Sequence, residues 1–135
     1  MVLVHSLLAI TTPFALFSSH ATPREMLHSL AKAKVTHVFV HASFLSRFLP
    51  VSRDIGFPVE RIYILEGEDR TGLNRPSFGQ LIQNVRSNKI PREPVRAAGK
   101  DTLAYLVFSS GTSGLPKGNV FQIAANGLGS SRYQP

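Results

Sequence analysis

Between Leu103 and Gly118 the chain reads Leu-Ala-Tyr-Leu-Val-Phe-Ser-Ser-Gly-Thr-Ser-Gly-Leu-Pro-Lys-Gly, and no other stretch constrains the fold as tightly. Leu103 to Phe108 is a short, β-prone apolar run without helical spacing, which predicts a strand. The chain then turns abruptly into Ser109, Ser110, Gly111, Thr112, Ser113 and Gly114. Glycine admits positive φ and a close backbone approach, so successive N–H groups can converge on an anion. The hydroxyls of Ser109, Ser110, Thr112 and Ser113 add donors, and Lys117 adds a full positive charge. A strand, a hydroxyl–glycine loop and a lysine, in that order, suit a polyphosphate. A plain Gly/Ser surface turn is the competing reading of the same composition.

The Walker pattern G-x-x-x-x-G-K-[ST] does not fit, because Pro116 precedes the lysine and Gly118 follows it. Ser109 to Gly118 instead closely resembles the phosphate-loop signature [ST]-[ST]-G-T-[ST]-G-x-P-K-G of the adenylate-forming enzymes, matching it at every position. That superfamily includes acyl-CoA synthetases, 4-coumarate–CoA ligases, luciferases and the adenylation domains of peptide synthetases. The resemblance extends upstream in softer form. Thr22-Pro23-Arg24-Glu25-Met26 is similar to the T-x-x-E-[LM] helix start of 4-coumarate–CoA-ligase-like proteins, and Asp101-Thr102-Leu103-Ala104-Tyr105 to their D-[DT]-[LV]-A-Y lead-in.

Upstream of the loop the chain alternates helix and strand patterns. Val2 to Ile10 reads as the end of an apolar helix and Pro13 to Phe17 as a short buried strand. Thr22 as N-cap, Pro23 at the first helical position and Glu25 three residues beyond the cap predict a helix with a capping box. Val35 to Val40 is nearly continuous in apolar residues, as in a strand covered on both faces. Ser43 is a candidate cap for a third helix carrying Phe44, Leu45, Phe48 and Leu49, which Pro50 is expected to kink or divide and Gly56 to end. Arg61 to Leu65 is a third strand, and Phe78, Leu81, Ile82 and Val85 predict a short amphipathic helix. The expected fold class is therefore α/β. A partial parallel sheet with flanking helices and right-handed crossovers is followed by a strand–phosphate-loop–strand unit, with Val120 to Ile123 as the return strand.

Length and composition bound the function classes. At 135 residues the chain is one domain's worth, and it contains no cysteine, which excludes disulfides and thiolate metal sites and suits a reducing compartment. The net charge of +7 is concentrated: Arg70, Arg75, Arg86, Lys89, Arg92, Arg96 and Lys100 face only Glu93 between positions 70 and 100. Phe78 alone interleaves them and Pro76, Pro91 and Pro94 break the run, so a solvated connector is favoured over a nucleic-acid footprint. The apolar Met1–Phe17 stretch has no basic residue before Arg24 and is interrupted by Thr11, Thr12 and Pro13. That argues against a signal peptide or a membrane span and for a cytoplasmic protein, peroxisomal targeting being possible for the family. His37 and His41 bracket Val38-Phe39-Val40 without the glutamate or helical spacing of a zinc protease site. Gly111-Thr112-Ser113-Gly114-Leu115 lacks the last glycine of a nucleophile elbow.

The resemblance implies ATP with Mg2+ as the cofactor and, in an intact enzyme, activation of a carboxylic acid to an acyl-adenylate followed by transfer to CoA. By the same resemblance Ser109, Ser110, Gly111, Thr112, Ser113, Gly114 and Lys117 would hold the polyphosphate, with Lys117 offsetting charge on the departing pyrophosphate. Magnesium would arrive with the nucleotide. After Gly118 the family's V-x-x-[ST]-H segment is missing, as are its Y-G-x-T-E adenine motif, its ribose-binding aspartate and its C-terminal lysine. Residues 1–118 are accordingly expected to be a partial adenylation domain, and 119–135 a divergent, Gly/Ser-rich, unstructured tail. Such a chain would be a piece of a longer enzyme, inactive alone and prone to self-associate through uncovered sheet. A non-catalytic nucleotide- or anion-binding module and an idle truncated product are the alternatives.

Overall fold

The computed structural model describes residues 1–109, 117–122 and 131–133. Helix α1 (Val2–Ala9) leads into strand β1 (Phe14–Leu16), helix α2 (Pro23–Ala33), strand β2 (Val38–Val40) and helix α3 (Ala42–Asp54). A 3-10 turn (Val59–Arg61), strand β3 (Ile62–Ile64) and helix α4 (Phe78–Ser87) follow, and strands β4 (Leu103–Ser109), β5 (Lys117–Gln122) and β6 (Ser131–Tyr133) close the order.

The expected capping box on α2 is present. The Glu25 carboxylate accepts the Thr22 N–H at 2.6 Å and the Thr22 hydroxyl accepts the Glu25 N–H at 3.3 Å. Lys34 ends the helix in the left-handed region (φ 49°). Helix α4 has the same kind of box from Ser77 and Gln80. On α3 the cap differs from the sequence reading: His41, not Ser43, occupies it, and its Nδ1 accepts the Ser43 N–H at 3.2 Å. Pro50 does not divide this helix, which runs on to Asp54. Proline removes one N–H and orphans the carbonyl four residues earlier, but Pro50 and Ser46 both face solvent, where water can satisfy it.

The hydrophobic core lies between α2, α3 and β3. Leu30, Leu45, Phe48, Leu49, Val51, Ile62 and Ile64 are buried together, with Met26, Leu27, Val35, Val38, Val40, Phe57 and Leu73 packed at the rim. Ser52 is buried among them at no polar cost, because its hydroxyl donates to the Leu49 carbonyl at 2.8 Å.

The three upstream strands do not form the single parallel sheet expected from their alternation. β2 and β3 pair parallel in a two-stranded sheet, Val38 opposite Ile62, with α3 as the crossover. β1 belongs to a second, four-stranded sheet of order β1-β4-β5-β6, pairing parallel to β4 with Phe14 opposite Tyr105. Aromatic stacking accompanies that choice. Phe14 lies on Tyr105 at 5.5 Å, Tyr105 on Phe121 at 4.6 Å and Phe17 on Phe108 at 5.4 Å, so rings stack across the sheet from β1 through β4 to β5. Strand pairing continues past Gly118: β5 runs on to Gln122 and Ser131–Tyr133 pairs with it, both reaching into the 119–135 segment. Residues 123–130 and 134–135 lie outside the described residues.

The basic connector is also more built than its composition suggests at one point. Arg75 is half-buried, donating to the carbonyls of Val59 (3.0 Å) and Leu73 (3.2 Å). Its N–H goes to Asp69, which also accepts the Thr71 N–H at 2.8 Å and the Thr71 hydroxyl. The Thr71 hydroxyl, chiefly, holds the Asp69 carboxyl below its ordinary range, while partial burial opposes that shift. A carboxyl depressed in the folded state adds stability above its unfolded pKa and loses it as pH falls through the folded one. Asp69→Asn should therefore cost about 1 kcal/mol at neutral pH. The cost should shrink on acidification below the usual aspartate range, and chemical denaturation of both proteins across that range measures it.

Candidate functional site at the ends of the parallel pair

Ser109 is the last residue of β4 and Lys117 the first of β5, and the antiparallel ladder sets them opposite each other. The ends of the hydroxyl–glycine loop are thus held at one ladder rung. Ser110, Gly111, Thr112, Ser113 and Gly114 lie outside the described residues. Lys117 is exposed and begins a strand, not the helix that follows a Walker loop. One rung further in, Phe108 faces Gly118, where an added Cβ would sit 3.3 Å from the Phe108 ring. Glycine there lets the Phe108 ring lie against the neighbouring strand.

Along β4, Leu106 and Phe108 share one face, and Phe17 stacks on Phe108 from the end of β1. β1 and β4 run parallel, so the loop opens at their carboxyl ends, the side on which α/β proteins bind ligands. A cavity of about 220 Å³ lies there, lined by Phe17, Ser18, His20, Ala21, Glu25, Ser29 and Phe108. Of these, the sequence marks Glu25 as a helix cap and Phe17 and Phe108 as strand ends, and none of them as part of a site. The signal was indirect: the residues that follow one parallel strand must meet the end of its neighbour.

Arg47 on α3 fixes the wall of this cavity. Its guanidinium donates to the Ala21 carbonyl at 2.9 Å and the Ser19 carbonyl at 3.4 Å, and the Ser18 hydroxyl accepts the His20 N–H at 3.2 Å. Arg47→Ala should release the 18–21 loop at a stability cost of about 1 kcal/mol. Hydrogen exchange at those amides should then accelerate relative to the α3 core. Unchanged exchange would mean that the loop is held by something else.

Glu25 lines the cavity, but its role is local. The Thr22 N–H, then the Thr22 hydroxyl, hold its carboxyl below the ordinary glutamate range, so it is a helix cap and not a poised proton donor. His41 caps α3, and His37 lies at 6.1 Å from the Tyr63 ring, both away from the cavity. Among the described residues no cluster of three or more His, Asp or Glu side chains could hold a metal ion, and no helix is long and apolar enough to cross a membrane.

Comparison with known proteins places the fold. The sequence model of the family described as AMP-binding enzyme matches residues 1–128. Against curated protein sequences the chain finds no match. Among solved structures, a red-emitting luciferase from Phrixothrix hirtus is similar over 83% of this chain, with a TM-score of 0.67 and 23% identity. The anthranilate CoA ligase AuaEII, solved with anthranoyl-AMP, is similar over 80%, with a TM-score of 0.60 and 23% identity. A luciferase-like enzyme from the mealworm Zophobas morio is similar over 84%, with a TM-score of 0.58 and 16% identity. The chain spans only 21%, 20% and 31% of those three proteins. With the family's sequence pattern running through all but its last seven residues and the same fold recurring in a luciferase and a CoA ligase, the chain belongs to the AMP-binding, adenylate-forming enzymes.

Proposed function

We propose that this chain carries the ATP polyphosphate-binding element of an acid-activating ligase of the 4-coumarate–CoA-ligase-like kind. The observation that carries the reading is the pairing of Ser109 with Lys117, which closes a hydroxyl–glycine loop at the carboxyl end of a parallel strand. In this reading Ser109, Ser110, Thr112 and Ser113 bind β- and γ-phosphate oxygens through hydroxyls and N–H groups. Gly111 and Gly114 let the loop fold over them, and Lys117 offsets charge on the departing pyrophosphate. Magnesium, carried in on the phosphates, would supply further charge neutralisation. Electrostatic stabilisation of a leaving group accelerates a reaction only when the attacking carboxylate is held in line. The family's acid-pocket and adenine motif is not found in these 135 residues, so the chain alone binds polyphosphate without completing the reaction.

The test pairs two readouts on the 135-residue chain. Inorganic triphosphate should raise the melting temperature, and Lys117→Ala should abolish most of that rise. Acid-dependent pyrophosphate release should stay at the background of the same variant. Release above that background would show that the chain is catalytic by itself, and a triphosphate effect indifferent to Lys117 would remove the loop from the account.

A further inference from the structure

The nucleotide reading leaves one part of the chain unused: the basic arm between α4 and β4. Residues 90–99 carry no helix or strand, and every residue from 83 to 101 is exposed. Val95 is 80% exposed and Ile90 49%, more than an apolar side chain on a passive connector needs to be. The order Ile90-Pro91-Arg92-Glu93-Pro94-Val95-Arg96 contains two prolines three apart and an arginine two residues beyond the second.

That spacing has a physical meaning. A polyproline II segment has three residues per turn and keeps its backbone solvated, so Pro91 and Pro94 fall on one ridge and Ile90, Glu93 and Arg96 on the next. Paired ridges of this kind fit the aromatic-lined grooves of SH3-type domains, which take proline-containing pairs in adjacent slots and a basic side chain in an acidic one. The arm is also anchored at one end, because the Arg96 N–H donates to the Ala9 carbonyl of α1 at 2.9 Å. Anchoring lowers the ordering cost of binding, and a groove that reads side-chain ridges has no need of that N–H. The Arg96 guanidinium meets Glu93 at 2.6 Å, but both side chains are more than half exposed. Such a surface pair is worth little and yields to a desolvated acidic partner. Within and just beyond the arm Arg92, Arg96 and Lys100 face the single carboxylate of Glu93, which complements an acidic groove.

We propose that Ile90–Arg96 is a docking segment for a polyproline-reading, SH3-type domain with an acidic specificity slot, independent of the nucleotide site. Glu93 then occupies a position where the groove favours an apolar side chain, which keeps the affinity low.

The experiment titrates the full 135-residue chain into a panel of isolated SH3 domains bearing acidic grooves, with isolated WW domains as a comparison. At least one SH3 domain should bind saturably, and Pro94→Ala and Arg96→Ala should each weaken that binding about tenfold. Glu93→Leu should tighten it several-fold, by filling the slot and freeing Arg96. Arg86→Ala removes the same charge from α4 outside the segment and should leave binding unchanged. All four positions are exposed and the Arg96→Ala backbone keeps its bond to Ala9, so unaltered melting temperatures should accompany these effects. Binding by no SH3 domain, binding by WW domains alone, or loss with Arg86→Ala equal to that with Arg96→Ala and no effect of Pro94→Ala would each overturn the proposal.

Discussion

Leu45→Ala should lower the stability of the chain by about 2–5 kcal/mol, a large share of the total for a domain of this size. Leu45 is 0% exposed and sits on α3 where α2 and β3 close over it, so the lost side chain leaves a cavity that fixed backbone cannot fill. The destabilisation combines lost transfer free energy with that cavity, and a melting temperature lower by about 10 °C or more should report it. Leu45→Met keeps the volume and should cost less than about 1.5 kcal/mol. Leu16→Ala is the contrast. It removes an equally large apolar group from the edge strand β1, but Leu16 is 47% exposed and its loss should be small. If the two alanine variants melt alike, the stabilising core is not the α2–α3–β3 cluster.

That core was legible because its signals were local and agreed. The Thr22–Glu25 box, the stripe of Phe44, Leu45, Phe48 and Leu49, of which Phe44 alone stays exposed, and the apolar run ending at Val40 each specify an element by its own spacing. Sheet membership was not legible. Periodicity tells which residues alternate, not which strand lies beside which, and β1 joins β4 across more than eighty residues through aromatic contacts that no local pattern encodes. The cap of α3 was misassigned for a related reason: a serine is the commoner cap, yet the chain geometry offers the His41 Nδ1 to the Ser43 N–H.

At the site the balance differs. The loop residues were singled out by the resemblance of Ser109–Gly118 to the family signature, and the two strands expected on either side of the loop are present as β4 and β5, with a strand and not a helix beginning at Lys117. The cavity wall was not singled out, because Phe17, Ser18 and His20 acquire meaning only when β1 lies parallel to β4 and Arg47 reaches over from α3 to hold their backbone. Arg75 is a similar case, a cation read as solvated that in fact clamps the segment before α4 to the turn before β3.

The most direct test of the polyphosphate reading compares inorganic triphosphate with ATP on monomeric protein at low and moderate salt, using wild type and Lys117→Ala. Lys117 is exposed, so its attraction to a phosphate is screened, and its loss should weaken binding about tenfold, not abolish it. Adenine should add little, since the family's adenine motif does not occur in these residues. The account predicts weak, salt-sensitive binding of both ligands with similar affinity and a common dependence on Lys117. A marked preference for ATP, or affinities that ignore Lys117→Ala, would contradict it.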